Sequence, residues 1–542
     1  MKTHFIRRLI TLIPVALVVA GAEVHAQTAP AAQPQFGGVL KVAMIGEPPT
    51  LDLHATTATI TAQIMWHVDE SLYTFDKDFS PIPLLAEGHA VSDGGRRYTI
   101  TLRKGVRFHD GTEMTSADVV SSLNRWGRTA TVGKALWKAV EALQAKGPYD
   151  VVIHLKEPSG VLLNALAGFN AAIYPKAVID AAGDGQLKEF IGTGPFRFVE
   201  HKPDRHIRLA RFKGYTARPE PSNGAGGKRT AYFDEILFVP VPDVAVRLPG
   251  VASGSYHYST GIKQDQYDRI LTLRGVEPRI ASPSSALTLI LNHKQGLMTG
   301  KKMRQALQAA LDMEAMLAAA AGHPLFYRVD PALFPPELVL WHSTAGTGAY
   351  NQRDKEKARR LLKEAGYAGQ PVRLLTNKEY EGHYKTALLA KQQLEDVGFK
   401  IDLQVVDWAT QTRRWSNPGL FDVASTGFVS RGTDPAFSVI LQCSYPGWWC
   451  NDEKQRLLGE LARETDPSKR KAIIDRIQAI FYEDVGRIKV GDIFGLDVTR
   501  KELRGDFRSV PMLFFWNAWL TSKRVSTAPS KPALDQVAHR GR

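Results

Sequence analysis

His109 and Asp110 stand side by side in FHDGTEM, an imidazole next to a carboxylate, and such a pair could do acid–base work. The glycine that follows makes a turn the competing reading. Little else joins the pair. The chain has no HExxH metal helix, no glycine-rich phosphate loop and no Gly-x-Ser-x-Gly elbow, and its 15 histidines are scattered without metal-ligand spacing. These residues do not favour catalysis and imply no cofactor, although an imported metal could still bind through a chelator or one histidine. Arg413, Arg414 and Trp415 form a second group, cationic and aromatic, whose bland reading is a solvated basic helix face.

Cys443 and Cys450 are the only cysteines, in LQCSYPGWWCN. The compartment decides how to read them. Lys2, Arg7 and Arg8 precede an apolar run from Leu9 to Gly21, then Val24-His25-Ala26, the pattern of a secretory signal peptide cut after Ala26. The run is shorter than the ~20 residues a membrane anchor needs, and no cysteine near the cut offers a lipid anchor. In an exported chain, two cysteines around Pro446-Gly447 read as one local disulfide, the alternative being two buried free thiols. With 69 basic and 55 acidic residues the formal charge is +14. The export signal argues against nucleic acid as the partner; an anionic ligand is the reading left beside plain basicity.

The elements that must position such residues are legible in places. The 542 residues are long enough for two or three domains. Tyr98, Ile100 and Leu102 alternate with polar residues as a half-buried strand, with turn chemistry at Asp93-Gly94-Gly95 before it and Lys104-Gly105 after it; Val106 and Phe108 resume the alternation, so a hairpin is expected, with a further turn at Asp110-Gly111. Thr115 precedes Asp118 by three, a capping pair for a helix with Val119, Val120 and Leu123 on its apolar side. Strands are expected at 38–44, 151–155, 232–241, 287–291, 372–376, 401–405 and 420–424. Helices are expected at 62–73, 301–322, 354–366, 384–397 and 466–482, and a surface loop at 217–229. The 372–405 stretch is a βαβ unit, which makes that half an α/β lobe.

The string SDGGRRYTITLRKGVRFHDGTEMTSADVV resembles the signature of the extracellular solute-binding proteins of family 5, the peptide- and nickel-type binding subunits of ABC importers. The resemblance runs from about Gly38 to Leu520 and includes Gly192-Thr193-Gly194-Pro195-Phe196. It implies an α/β, type II periplasmic-binding-protein fold: two lobes around a hinged cleft plus an inserted extra domain. The expected parts are a signal peptide (1–26), a disordered leader (27–36), a discontinuous first lobe (37–74, 190–285 and 490–520), the inserted domain (75–189), the second lobe (286–489) and a disordered tail (521–542). Function follows as capture of a small solute by lobe closure and delivery to an inner-membrane permease with its ATPase, by a periplasmic monomer. An exported enzyme on the same fold, a chaperone and a chemosensory adaptor are the alternatives.

The resemblance also names candidates. Residues 421–437 match the stretch that lines the family's cleft, so Phe428, Ser430, Arg431 and Asp434 are candidate ligand contacts. In peptide-binding members an acid three residues before the acid–proline pair takes the peptide ammonium. Here the pair is Asp434-Pro435 and that position is Arg431, whose fork suits a carboxylate or phosphate instead. The alternative readings are that Asp434 only orients the turn before proline and that Phe428 is core. Trp408 stands where the family carries a cleft-facing aromatic, with Arg414 in the helix behind it. Trp448 and Trp449 either cover the cleft or pack under it.

Overall fold

One sheet runs through both lobes. In this computed structural model, which describes residues 33–183, 185–428, 434–505, 507 and 512–521, its strands lie in the order Ile401–Val405, Val372–Thr376, Val423–Phe428, Val276–Leu291, Ile488–Arg500, Tyr258–Ile262, Val39–Met44, Glu235–Pro240, His206–Arg211 and Phe196–Lys202. The expected signal segment lies outside the described residues. No described helix is long and apolar enough to cross a membrane.

At one end of the sheet, Val39–Met44 pairs in parallel with Glu235–Pro240 and Tyr258–Ile262. Leu40, Val42, Ile236 and Phe238 are buried there with Phe514, Phe515 and Trp516 from near the C-terminus. At the other end Val372–Thr376 pairs in parallel with Ile401–Val405 and Val423–Phe428, as the βαβ pattern predicts. Leu289, Leu291, Leu374 and Val423 bury one face against helices Lys301–Ala310, Met313–Ala321, Lys355–Glu364 and Glu381–Glu395. Two long antiparallel strands, Val276–Leu291 and Ile488–Arg500, join the halves, and their register slips between Ile280 and Pro283, Pro283 and Ser285, and Leu287 and Thr288. Such bulges bend a sheet where they sit.

The inserted part is a four-stranded antiparallel sheet, Ala86–Ser92, Arg97–Leu102, Asp150–Leu155 and Val140–Lys146, covered by helix Ser116–Thr129. The expected cap is present: the Asp118 carboxylate accepts from Thr115 N at 2.8 Å. A buried ion pair ties this part to the first lobe, where Arg125 holds Asp52 at 2.5 Å, and a second, Arg229 with Glu70 at 3.0 Å, joins two segments of the first lobe itself; all four side chains are nearly inaccessible. Removing one partner of such a pair leaves a buried charge and costs about 3–5 kcal/mol. Gly192 and Gly194 sit where the chain returns. A Cβ on either would come within 2.5 Å of the Val68 or His67 carbonyl oxygen, so close backbone approach is what requires glycine here.

Several elements differ from the sequence expectation. The helix expected at 62–73 is Thr59–Met65 only; Val68 N turns back to Met65 O, and Tyr73–Phe75 is already a strand. The helix expected at 301–322 is broken at Leu311, which is extended, and Asp312 caps a second helix through Ala315 N at 3.1 Å. The strand expected at 287–291 begins at Val276, and that expected at 420–424 is Val423–Phe428. Residues 217–229 form a loop that lies at the surface only in part: 219–223 and 228 are exposed, while Gly224 to Gly227 and Arg229 are buried, with Arg229 paired to Glu70 and stacked on Trp516 at 4.2 Å.

Candidate functional site

Ligands of α/β lobes bind beyond the carboxyl ends of the strands, and three such ends lie together in the second lobe. Thr376, Val405 and Phe428 finish the parallel strands there. Buried amides brace the loops that follow. Asn377 Nδ2 donates to Gln411 Oε1 at 2.7 Å, and Gln411 Nε2 donates to Ser425 O at 2.8 Å. Asn377 Oδ1 accepts Tyr380 N at 2.9 Å, and Glu379 Oε1 accepts Trp408 N at 3.1 Å. Asp407 caps helix Trp408–Trp415 through Thr410 N at 2.8 Å.

This bracing presents an aromatic platform. The Tyr380 ring, about half exposed, stacks on His383 at 4.8 Å and meets Trp408 edge-on at 4.9 Å; Trp408 meets Trp415 edge-on at 5.3 Å. Burial pushes the His383 imidazole down to about 4, so the ring under Tyr380 is neutral at pH 7. The platform offers π faces with a neutral support, suited to holding a flat or apolar part of a solute.

The candidates named from the sequence divide. Trp408 is in the platform, half-buried. Phe428 ends its strand and packs against the cluster that contains the inserted part's core. Arg414 donates to Gln404 Oε1 at 3.3 Å and Arg413 to Thr410 Oγ1, which fits the solvated basic face. Ser430 and Arg431 lie outside the described residues. Asp434 requires a correction. Its buried carboxylate pairs with Arg470 and accepts Ala436 N at 3.0 Å, capping the turn Pro435–Phe437. Burial raises this carboxyl above the usual range despite Arg470. It orients the turn before proline and is not free for a ligand.

Asp434 also marks a contact across the molecule. Its N–H donates to Asn164 Oδ1 of the inserted part at 3.1 Å, and Gly160 N donates to Ala462 O at 2.9 Å. Beside these bonds is a cavity of about 280 Å³, bordered by Tyr98, Ser159, Asn164, Trp341, Asp434 and Arg470. The remaining candidates are structural. Cys443 and Cys450 are disulfide-bonded, with Cα atoms 4.8 Å apart. Trp449 packs on Phe481 at 5.7 Å and Trp448 beside Phe421 at 6.1 Å. His109 bridges Gly194 O and Gly192 N at 3.0 and 3.2 Å, which holds a turn.

Residues 80–449 match the sequence pattern of the bacterial extracellular solute-binding proteins, family 5 Middle. The chain belongs to this family. Among relatives of this family-5 protein, a probable peptide ABC transporter periplasmic-binding protein, y4tO of Sinorhizobium fredii, is 27% identical over 473 residues, 83% of this chain and 88% of that one. The glutathione-binding protein GsiB of Salmonella paratyphi A is 28% identical over 456 residues, 80% of this chain and 85% of that one. The ABC transporter substrate-binding protein CtaP of Listeria monocytogenes superposes with a TM-score of 0.79 at 21% identity, covering 90% of this chain and all of its own, which shows the shared type II fold. The amide brace and Tyr380 had no sequence signal: Asn377, Gln411 and Tyr380 belong to no motif, and only the βαβ pattern placed them at strand ends.

Proposed function

We propose that this family-5 solute-binding protein works in the periplasm as the capturing subunit of an ABC importer, a monomer that takes a peptide-like or anionic organic solute and passes it to a permease driven by a separate ATPase. The observation that carries the reading is the aromatic platform of Tyr380 and Trp408, held by buried amides at the carboxyl ends of three parallel strands. A neutral aromatic surface of this kind suits holding a flat or apolar part of a solute. The peptide- and glutathione-binding relatives favour a peptide-like solute, and Arg431 favours a carboxylate on it.

The test starts with native mass spectrometry of protein purified from the periplasm, to identify the retained molecule. Calorimetric titration of that molecule against wild type and Arg431→Ala then follows. A charge-assisted arginine contact contributes about 1.5–3 kcal/mol, so truncation should weaken binding about ten- to a hundredfold with the melting temperature of the protein alone nearly unchanged. Equal affinities would remove Arg431 from the site and return free-amine peptides as the leading solutes.

A further inference from the structure

The cavity beside Asp434, about 280 Å³, is walled by two parts of the molecule only. Tyr98, Ser159 and Leu163 come from the inserted part, and Leu340, Trp341 and Arg470 from the second lobe. No residue of the first lobe borders it, so it is not part of a cleft between the two lobes. It also shares no residue with the platform of Tyr380 and Trp408.

Its walls are braced. Tyr98 Oη donates to Ser159 O at 2.9 Å, and Gly160 N donates to Ala462 O at 2.9 Å. Trp341 N donates to Leu338 O at 2.8 Å, and the Trp341 ring meets Phe334 edge-on at 6.2 Å. Gln478 grips the segment that carries Trp341 on both sides, accepting Leu333 N at 2.9 Å and donating to Ser343 O at 2.7 Å. Tyr98 and Trp341 are buried, whereas Leu340 at the rim keeps 39% of its surface exposed.

Most of this lining is apolar or aromatic, and its one charged pair is spent. Arg470 pairs with Asp434, and its other terminal nitrogen donates to the carbonyls of Leu461 and Glu464. Asp434 in turn accepts Ala436 N at 3.0 Å. A charged occupant would give up its water and find no free counter-charge, whereas a neutral one loses little. The Thr465 hydroxyl, exposed at the rim, takes no hydrogen bond among the described residues, which leaves one polar point open. An apolar cavity of ~150 Å³ already holds benzene, so about 280 Å³ admits two fused rings. We propose that this cavity is a second binding site, taking an uncharged aromatic molecule of one or two rings among Tyr98, Leu163 and Trp341, with a single polar group toward Thr465. Because its walls come from two parts, the occupant binds only the arrangement in which they touch, and favours it.

The test uses the full mature chain and 5-fluoroindole, observed by fluorine NMR. For wild type we expect saturable broadening, reversed by indole. Indole-3-acetate, the same rings with a carboxylate, should compete about tenfold less well or worse. Leu163→Trp fills the cavity and should abolish the saturable signal. Leu340→Trp covers the rim from an exposed position, should weaken binding about tenfold, and serves if the first variant does not fold. Tyr380→Ala should bind 5-fluoroindole as wild type does, since the platform is a separate surface. No saturable signal in wild type would leave a cavity that holds water only and overturn the proposal. Unchanged binding in both cavity variants, loss in Tyr380→Ala, or equal competition by indole-3-acetate would overturn it too. None of these outcomes bears on Arg431, whose titration is read separately.

Discussion

His67 shows how much one side chain can dictate. Its Nδ1 lies 3.1 Å from Ile64 O and its Nε2 accepts Phe515 N at 2.8 Å, so the ring is fixed as the neutral Nδ1–H tautomer. Burial pushes its pKa to about 3, and that of buried His54 to about 4. Below pH ~6.5 the unfolded chain gains protons that the folded rings refuse, so stability falls as pH drops, by about 2 kcal/mol per ring at pH 5. Asp69, whose carboxyl burial raises well above its usual range, acts in the opposite sense and offsets part of this. Melting temperature should therefore fall between pH 7 and 5, and His67→Gln, which can donate and accept without charging, should shrink the fall. A variant with an undiminished fall would remove His67 from the account. At this scale sequence reading was uneven. An acid before proline can cap a turn or meet a ligand, and nothing local chose for Asp434. Its partner Arg470 is 36 residues away.

Elements were legible where their causes are local. The strand at Tyr98–Leu102, the Thr115–Asp118 cap and the βαβ unit rest on alternation, glycine turns and short-range capping, all contained within a few residues; the second hairpin arm expected at Val106 and Phe108 did not form, because Arg97–Leu102 pairs with Ala86–Ser92 and Asp150–Leu155 instead. The long joining strand 276–291 was mostly hidden because Pro278, Pro283 and the register slips interrupt its alternation, and only pairing with Ile488–Arg500 makes it a strand. The break after Ala310 was hidden for the opposite reason: apolar residues continue at helical spacing through Leu317, and only the Asp312 cap divides them. Asp312→Ala should cost about 1 kcal/mol, measured as a lower denaturant midpoint with an unchanged slope. No change in midpoint would mean that the cap merely decorates a break fixed by packing.

At the scale of the molecule, the inserted part meets the second lobe through Gly160 and Asn164. A Cβ on Gly160 would lie 1.7 Å from Glu464 O, so any side chain must push the two apart. If solute capture requires this contact, Gly160→Val should weaken solute binding tenfold or more, equivalent to about 1.4 kcal/mol. Small-angle scattering should then show less compaction on solute addition than in wild type. Unchanged affinity and unchanged compaction would show that this contact takes no part in capture. Gly160 gave no warning in the sequence, since its importance lies in a backbone some 300 residues away.

The second lobe leaves and re-enters the rest of the chain through two neighbouring strands, with Ala286 and Asp492 facing each other in one ladder. Everything between them is a single uninterrupted stretch, whereas the first lobe is stitched from separate pieces. A stretch whose two ends already touch is a cassette. It could be exchanged between relatives at one seam without rethreading the remainder, provided that the apolar residues it packs against the inserted part, Trp341, Leu461 and Ile477 among them, are matched, so a new solute preference could be acquired by transplanting one contiguous piece of gene.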